Sequence, residues 1–197
     1  MSDFWIYFII GLKHVMSIFA YDHILFLFAL TVPYEFKSWK RILILVSLFT
    51  LGHTLALFLS VFNILTIKST LVEFLIPVTI LIAAFYNIII AGKSSKKDNI
   101  SFVGFITLFF GIIHGLGFSN YFNSILSGKA TDKLLPLIEF ALGIESAQII
   151  VVIIALLLSY VIQTLFKFTK RDWILMVSAF TVGVIIPILI QNEIWYK

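Results

Sequence analysis

The chain has 197 residues, of which 61% are hydrophobic and 12% are charged, and its mean hydropathy is +1.10. Soluble domains carry about 25% charged residues, so an ordinary soluble domain is excluded. A transmembrane helix takes about 20 apolar residues, which leaves room for about six spans and no separate soluble domain. The net charge of +4 comes from short basic clusters between apolar stretches, a pattern typical of membrane loops and not of a nucleic-acid-binding surface. Cysteine is absent, so disulfides and thiolate metal sites are excluded.

Six apolar runs follow one another along the chain, separated by short polar breaks. They cover residues 4–32, 41–62, 70–91, 102–122, 134–166 and 173–191. Because the breaks are short, neighbouring helices should pack antiparallel in one bundle. The sequence therefore predicts an all-α, polytopic integral membrane bundle of about six transmembrane helices, built as a single transmembrane domain over residues 1–197.

The basic residues predict the orientation of this bundle. The first, third and fifth connections hold Lys37, Lys40, Arg41, Lys93, Lys96, Lys97, Lys167, Lys170 and Arg171, whereas the second and fourth hold Lys68, Lys129 and Lys133. The positive-inside rule places the richer loops in the cytoplasm, so both termini are expected outside. We expect the inner membrane of a bacterium as the location.

The first apolar run is too long for a simple span. Its 29 residues would extend about 43 Å as a helix, against a hydrocarbon core of about 30 Å. One interpretation is a short interfacial helix over residues 4–12, with Lys13 at the outer interface and the true span starting there. A steep tilt is the alternative.

Ionisable side chains inside the spans are the main functional signal. Lys13 is the one lysine among them. The other eight are the four histidines and four carboxylates: His14, His23, His53, His114, Asp22, Glu73, Glu139 and Glu145. Each charged carboxylate at bilayer depth costs about 2.5–3.5 kcal/mol. Imidazole with carboxylate is a ligand set that suits Ni, Co or Zn. The alternative is structural: Glu73 and Glu139 lie near helix starts, where the dipole favours carboxylates, and a single histidine often serves packing.

Counting along the helices predicts that several of these side chains converge. At about 1.5 Å per residue, His53 and His114 reach matching depth, and Asp22, His23 and Glu145 lie close to the same layer. His14 and Glu73 would lie above them, toward the outer face, as an entry. Gly111 and Gly115 flank His114 with the four-residue spacing that allows close helix packing.

These residues resemble a known family, the HupE/UreJ membrane proteins, which are associated with hydrogenase and urease gene sets and proposed as nickel permeases. The resemblance covers most of the chain and lies in GLKH (11–14), YDHILFL (21–27), FTLGHT (49–54), VEFLI (72–76), FGIIHGLGF (110–118) and FALGIESAQ (140–148). It implies a metal-binding signature at His14, Asp22 and His23, with His53, Glu73, His114 and Glu145 at the other polar motif positions.

The chain departs from the family pattern in three places. Seven residues separate His14 from Asp22 where the family usually has five, Ala141 replaces a usual Asn, and Ala147 replaces a usual Gly. On a regular helix, His14 and His23 would face opposite sides, because nine residues at 100° each bring them half a turn apart. Either residues 17–20 are not helical, or His14 serves a separate outer site; the second is favoured.

The leading hypothesis is a divalent metal permease (Ni, or Co or Zn) with metal ligands His14, Asp22, His23, His53, Glu73, His114 and Glu145, and no catalytic residues. It predicts the lipid bilayer and a divalent metal ion as partners, no nucleic acid, and leaves a homo-oligomer or metal-handling partner proteins open. Three alternatives stay open: an intramembrane zinc enzyme with Glu145 or Asp22 as general base, a haem-binding electron-transfer protein, and a structural partner.

Overall fold

A computed structural model describes residues 3–17, 21–92, 100–126 and 130–196 of the chain. Within these residues it contains seven α-helices and no strand: α1 Asp3–Met16, α2 Tyr21–Thr31, α3 Trp39–Val61, α4 Ser69–Ile90, α5 Ile100–Ile125, α6 Leu134–Leu165 and α7 Lys170–Ile190. Short 3-10 turns at Phe36–Ser38, Ala130–Lys133 and Glu193–Trp195 join or follow them. The all-α prediction is confirmed.

Helices α3 to α7 are each long and apolar enough to cross a membrane. Helices α1 and α2 pass the same test only as a pair, bent by 70° at the break between them. The bundle therefore has five spans in the described residues, or six if the bent pair forms one span, which agrees with the predicted polytopic membrane protein. The orientation with both termini outside stays a prediction.

The first apolar run differs from its predicted form. Helix α1 does not stop before Lys13 but continues to Met16, and α2, which begins at Tyr21, is bent by 70° relative to it. The physical reason is packing, since Gly11 and the fully buried Val15 lie on either side of the exposed Lys13 and both face the bundle. The predicted end of the short first helix at residue 12 is therefore wrong, whereas the start of the first span near Lys13 stays a prediction.

Glycines set the two closest helix packings in the bundle. A Cβ atom at Gly52 would clash with the backbone of Leu108 on α5, and one at Gly111 or Gly115 would clash with the carbonyl oxygen of Phe49 or His53 on α3. The predicted close packing at Gly111 and Gly115 is thus confirmed. Removal of the Cβ lets helix backbones touch, so α3 and α5 hold their side chains at fixed relative heights.

The second close packing joins α1 to α6. A Cβ at Gly11 would clash with the carbonyl oxygen of Phe140, and one at Gly143 with that of Phe8. Helix α1 is therefore held directly against α6. This contact fixes the end of α1, where His14 lies.

Candidate metal centre

The four histidines of the chain meet in one cluster, although each comes from a different helix. The ring of His23 on α2 lies 4.6 Å from that of His14 on α1, 5.8 Å from that of His53 on α3 and 5.2 Å from that of His114 on α5, measured between centroids. The His14 and His53 rings are 5.5 Å apart. His23, His53 and His114 are 2%, 0% and 1% exposed. These three rings are therefore closed from solvent, whereas His14 is partly exposed.

Two groups of side chains offer atoms close enough to hold a metal ion. They are His14, His23 and His53, and Asp22, His23 and His114; within each group the ligand atoms lie within 4.8 Å of one another. Ligands of a tetrahedral ion with bonds of about 2.0–2.1 Å lie about 3.3 Å apart. Small side-chain movements would thus suffice to enclose an ion in either group.

Asp22 orients the ring of His23. Its Oδ1 accepts the backbone N–H of His23 at 2.9 Å and lies 3.1 Å from Nδ1 of the same ring. A carboxylate oxygen accepts, so Nδ1 carries the proton and Nε2 keeps the lone pair. That Nε2 is buried without a hydrogen-bond partner among the described residues. Carboxylate–histidine pairs orient metal-ligating rings in this way.

Thr79 on α4 orients His114 in the opposite sense. Its hydroxyl donates to the carbonyl oxygen of Ile76 at 2.7 Å, and its Oγ1 lies 3.1 Å from Nε2 of His114. Because the single hydroxyl proton is used at Ile76, Oγ1 accepts from Nε2–H. Nδ1 of His114 then carries the lone pair, and it is buried without a partner in the part of the chain that the structure describes.

Thr79 contacts the cluster through His114, and the sequence did not indicate this residue. Threonine is common in apolar spans, where it bonds a carbonyl of its own helix. The one available signal was its place inside a span, two residues after Pro77.

Three further unpartnered nitrogens belong to this cluster. In the described residues, Nε2 of His14 and both ring nitrogens of His53 are buried with no hydrogen bond. An unpaired polar atom in an apolar interior costs about 1–3 kcal/mol. Gathered in one place, these atoms are available as ligands for a metal ion.

Phenylalanine rings enclose the cluster. Phe118 lies 3.9 Å from the ring of His14, Phe49 and Phe26 lie 5.1 and 5.3 Å from that of His114, and Phe140 lies 6.2 Å from that of His53. These rings exclude water and lower the local dielectric. A charge inside this shell therefore interacts more strongly with its ligands than it would in water.

His14 is where the structure departs from the favoured interpretation. A separate outer position is wrong for this residue, because α1 and α2 are two helices bent by 70° relative to each other and His14 lies beside His23. The rotation of about 100° per residue along one continuous helix therefore does not give the relative directions of His14 and His23. The structure thus brings together His14, Asp22, His23, His53 and His114.

Glu145 and Glu73 lie outside the two ligand groups. Glu145 on α6 accepts a hydrogen bond of 2.5 Å from the hydroxyl of Ser47 on α3. One turn further on both helices, Thr50 donates to Oε1 of the buried Gln148 at 3.0 Å. These two bonds tie α6 to the helix that carries His53.

Glu73 is exposed on the first turns of α4. Its backbone carbonyl lacks the usual helical donor, because Pro77 has no N–H four residues later. The side chain of Asn192 donates to that carbonyl at 3.3 Å. Roles for Glu73 and Glu145 in the metal site stay predictions.

Glu139, interpreted from the sequence as a carboxylate near a helix start, is buried, with only 3% of its surface exposed.

Comparison with known proteins gave one finding. A search of curated proteins and a search of solved structures each found no match. The family model described as "HupE / UreJ protein" matches residues 1–192. Because that match spans nearly the whole chain, the protein belongs to the HupE/UreJ family.

Proposed function

We propose that this protein is a permease that carries a divalent transition metal, nickel or cobalt with zinc as the further candidate, across the inner membrane of a bacterium. The HupE/UreJ family is a nickel and cobalt transporter family. The observation that carries the proposal for this chain is the convergence of five potential ligands from α1, α2, α3 and α5 in the apolar interior.

The chemistry of these side chains favours borderline cations. Four imidazoles with one carboxylate suit Ni, Co or Zn, whereas Mg or Ca would need mostly oxygen ligands. Cu(I) is disfavoured, because the chain has no Cys and only three Met. A dication that enters the cluster exchanges its water ligands for imidazole nitrogens. The negative charge of Asp22 offsets part of the positive charge of the ion.

The packing around the histidines favours a small ion over a haem. Two axial histidines would need a porphyrin between their rings. Here His14 and His23 are 4.6 Å apart, and Phe118 lies 3.9 Å from His14. The surrounding rings leave no slot of macrocycle width, so the cluster fits a cation.

The membrane potential would supply the driving force. Moving one charge across 100 mV is worth about 2.3 kcal/mol, and a dication gains twice that. In this scheme the outer approach would pass Glu73, and Glu145 beside Ser47 would serve the far side of the cluster. Because His23, His53 and His114 are buried in this conformation, each passage requires helix movements that open the cluster first to one side and then to the other.

The test is metal uptake into proteoliposomes that carry the full chain. With a negative-inside potential, the wild type should take up Ni²⁺ or Co²⁺ faster than empty liposomes, and Asp22→Asn should reduce that rate by at least about tenfold. Glu35→Gln is the matched control, because it also converts a carboxylate to an amide but alters only the exposed ion pair with Lys170 (3.2 Å). Wild-type uptake no faster than that of empty liposomes would show that the proposed function is wrong.

A further inference from the structure

His23 belongs to both groups of potential ligands. One group adds His14 and His53 to it, and the other adds Asp22 and His114. Each group thus combines His23 with one side chain that is partly exposed, His14 or Asp22, and one that is fully buried. Asp22 is 28% exposed, compared with 2% for His23. The two groups lie side by side and meet at His23.

One ring cannot serve both groups at once. A neutral imidazole has a single nitrogen with a free lone pair, and in His23 the other nitrogen faces the carboxylate of Asp22 at 3.1 Å. A cation bound through His23 therefore occupies one position or the other. Two cations held at the same time are not expected.

The two positions differ in charge. The first is lined by three neutral imidazoles, so a dication there keeps its full charge in a shell of phenylalanine rings. The second includes the carboxylate of Asp22, which removes one unit of that charge. Because Coulomb attraction is strong at low dielectric, the second position should hold the ion more tightly.

We propose that the cation occupies these two positions in turn, and that His23 stays bound while the other ligands are exchanged. The position with Asp22 and His114 is the tight one, and the position with His14 and His53 is a transfer position that the ion must pass during transport. This scheme rests on the permease function proposed above. In this scheme His53 is necessary for transport of the cation but not for tight binding, whereas His114 is necessary for both.

The experiment measures binding and uptake on the same variants of the full chain. Cobalt affinity and the visible spectrum of bound Co²⁺ are recorded in detergent, and uptake is recorded in proteoliposomes. For His53→Gln we expect cobalt affinity and spectrum close to those of the wild type, with uptake lowered by at least about tenfold. For His114→Gln we expect affinity lowered by at least about tenfold and a changed spectrum. Stoichiometry should stay at one ion per chain in the wild type.

Controls separate this scheme from the function on which it rests. Glu35→Gln should match the wild type in both measurements, and His53→Asn offers a second polar replacement if His53→Gln does not elute as a single species. Equal loss of affinity in the His53 and His114 variants, two bound ions, or normal uptake by the His53 variants would overturn the two-position scheme while leaving the permease intact. No binding of Ni²⁺, Co²⁺ or Zn²⁺ by the wild type would overturn both.

Discussion

The hydroxyl of Thr79 accepts a hydrogen bond from Nε2 of His114 across 3.1 Å, while its own proton goes to the carbonyl oxygen of Ile76. A threonine on α4 thereby fixes the tautomer of a histidine on α5. The lone pair of that ring then lies on Nδ1, which is buried without a partner among the described residues. Sequence separation of 35 residues hides this relationship, and it leads to the first prediction.

Thr79→Val should lower metal affinity by about 10- to 100-fold, the usual effect of removing the partner that orients a metal-ligating histidine. Valine keeps the shape of threonine but leaves Nε2–H without an acceptor, so the ring samples both tautomers. Thr79→Ser should keep the wild-type affinity, because it retains the hydroxyl. Cobalt titration of the purified protein measures the affinity.

Histidine ring NMR gives the readout that a purely structural role would not change. In the metal-free wild type, His114 should show a proton on Nε2, and in Thr79→Val a mixture of tautomers. An unchanged tautomer together with an unchanged affinity in Thr79→Val would contradict the role assigned to this hydroxyl.

The two carboxylates Asp22 and Glu145 should behave differently in equilibrium binding. Asp22 belongs to a ligand group, whereas Glu145 is bonded to Ser47 and lies in neither group. We expect Asp22→Asn to weaken cobalt binding by at least about tenfold, and Glu145→Gln to leave the dissociation constant nearly unchanged. Isothermal titration of the variants, with Glu35→Gln as the control, measures this difference. A large loss of affinity in Glu145→Gln would restore Glu145 as a ligand.

Hydropathy and residue counting predicted much of this architecture. The apolar runs match α3 to α7 because a helix of about 20 apolar residues has little alternative in lipid. Matching depths for His53 and His114 followed from the constant rise per residue, and Gly111 and Gly115 indicated the tight α3–α5 packing that fixes these depths.

The position of His14 could not be obtained in the same way. Residues 17–20, Ser-Ile-Phe-Ala, contain neither Pro nor Gly, so nothing local signals the end of α1. The contacts of Gly11 and Gly143 hold α1 against α6, and such a contact between distant segments is not visible in the local sequence. Thr79 was missed for a related reason, since its partner depends on how α4 lies against α5.

The start of α7 offers a prediction about stability alone. Thr169 and Asp172 form a capping box, in which the hydroxyl of Thr169 accepts the N–H of Asp172 at 3.1 Å and the carboxylate accepts the N–H of Thr169 at 3.2 Å. Thr169→Ala should cost about 1 kcal/mol of stability. Thermal unfolding in detergent measures the loss, and Thr164→Ala on the exposed end of α6 is the control. Cobalt affinity should not change, because neither Thr169 nor Asp172 belongs to a ligand group.

Glycine substitutions should separate a packing position from an open one. A Cβ at Gly111 would clash with the carbonyl oxygen of Phe49, whereas at Gly183 on α7 nothing lies within 4 Å of the added atom. Gly111→Ala should therefore push α5 away from α3 at a cost of about 1–3 kcal/mol. Gly183→Ala should be neutral or stabilising, because alanine favours helix.

Displacement of α5 by Gly111→Ala would also shift His114 on α5 relative to His53 on α3. Gly111→Ala should therefore weaken cobalt binding, whereas Gly183→Ala should not. Thermal unfolding and cobalt titration of both variants give the comparison, and equal behaviour of the two would show that α3 and α5 are not held in the contact described.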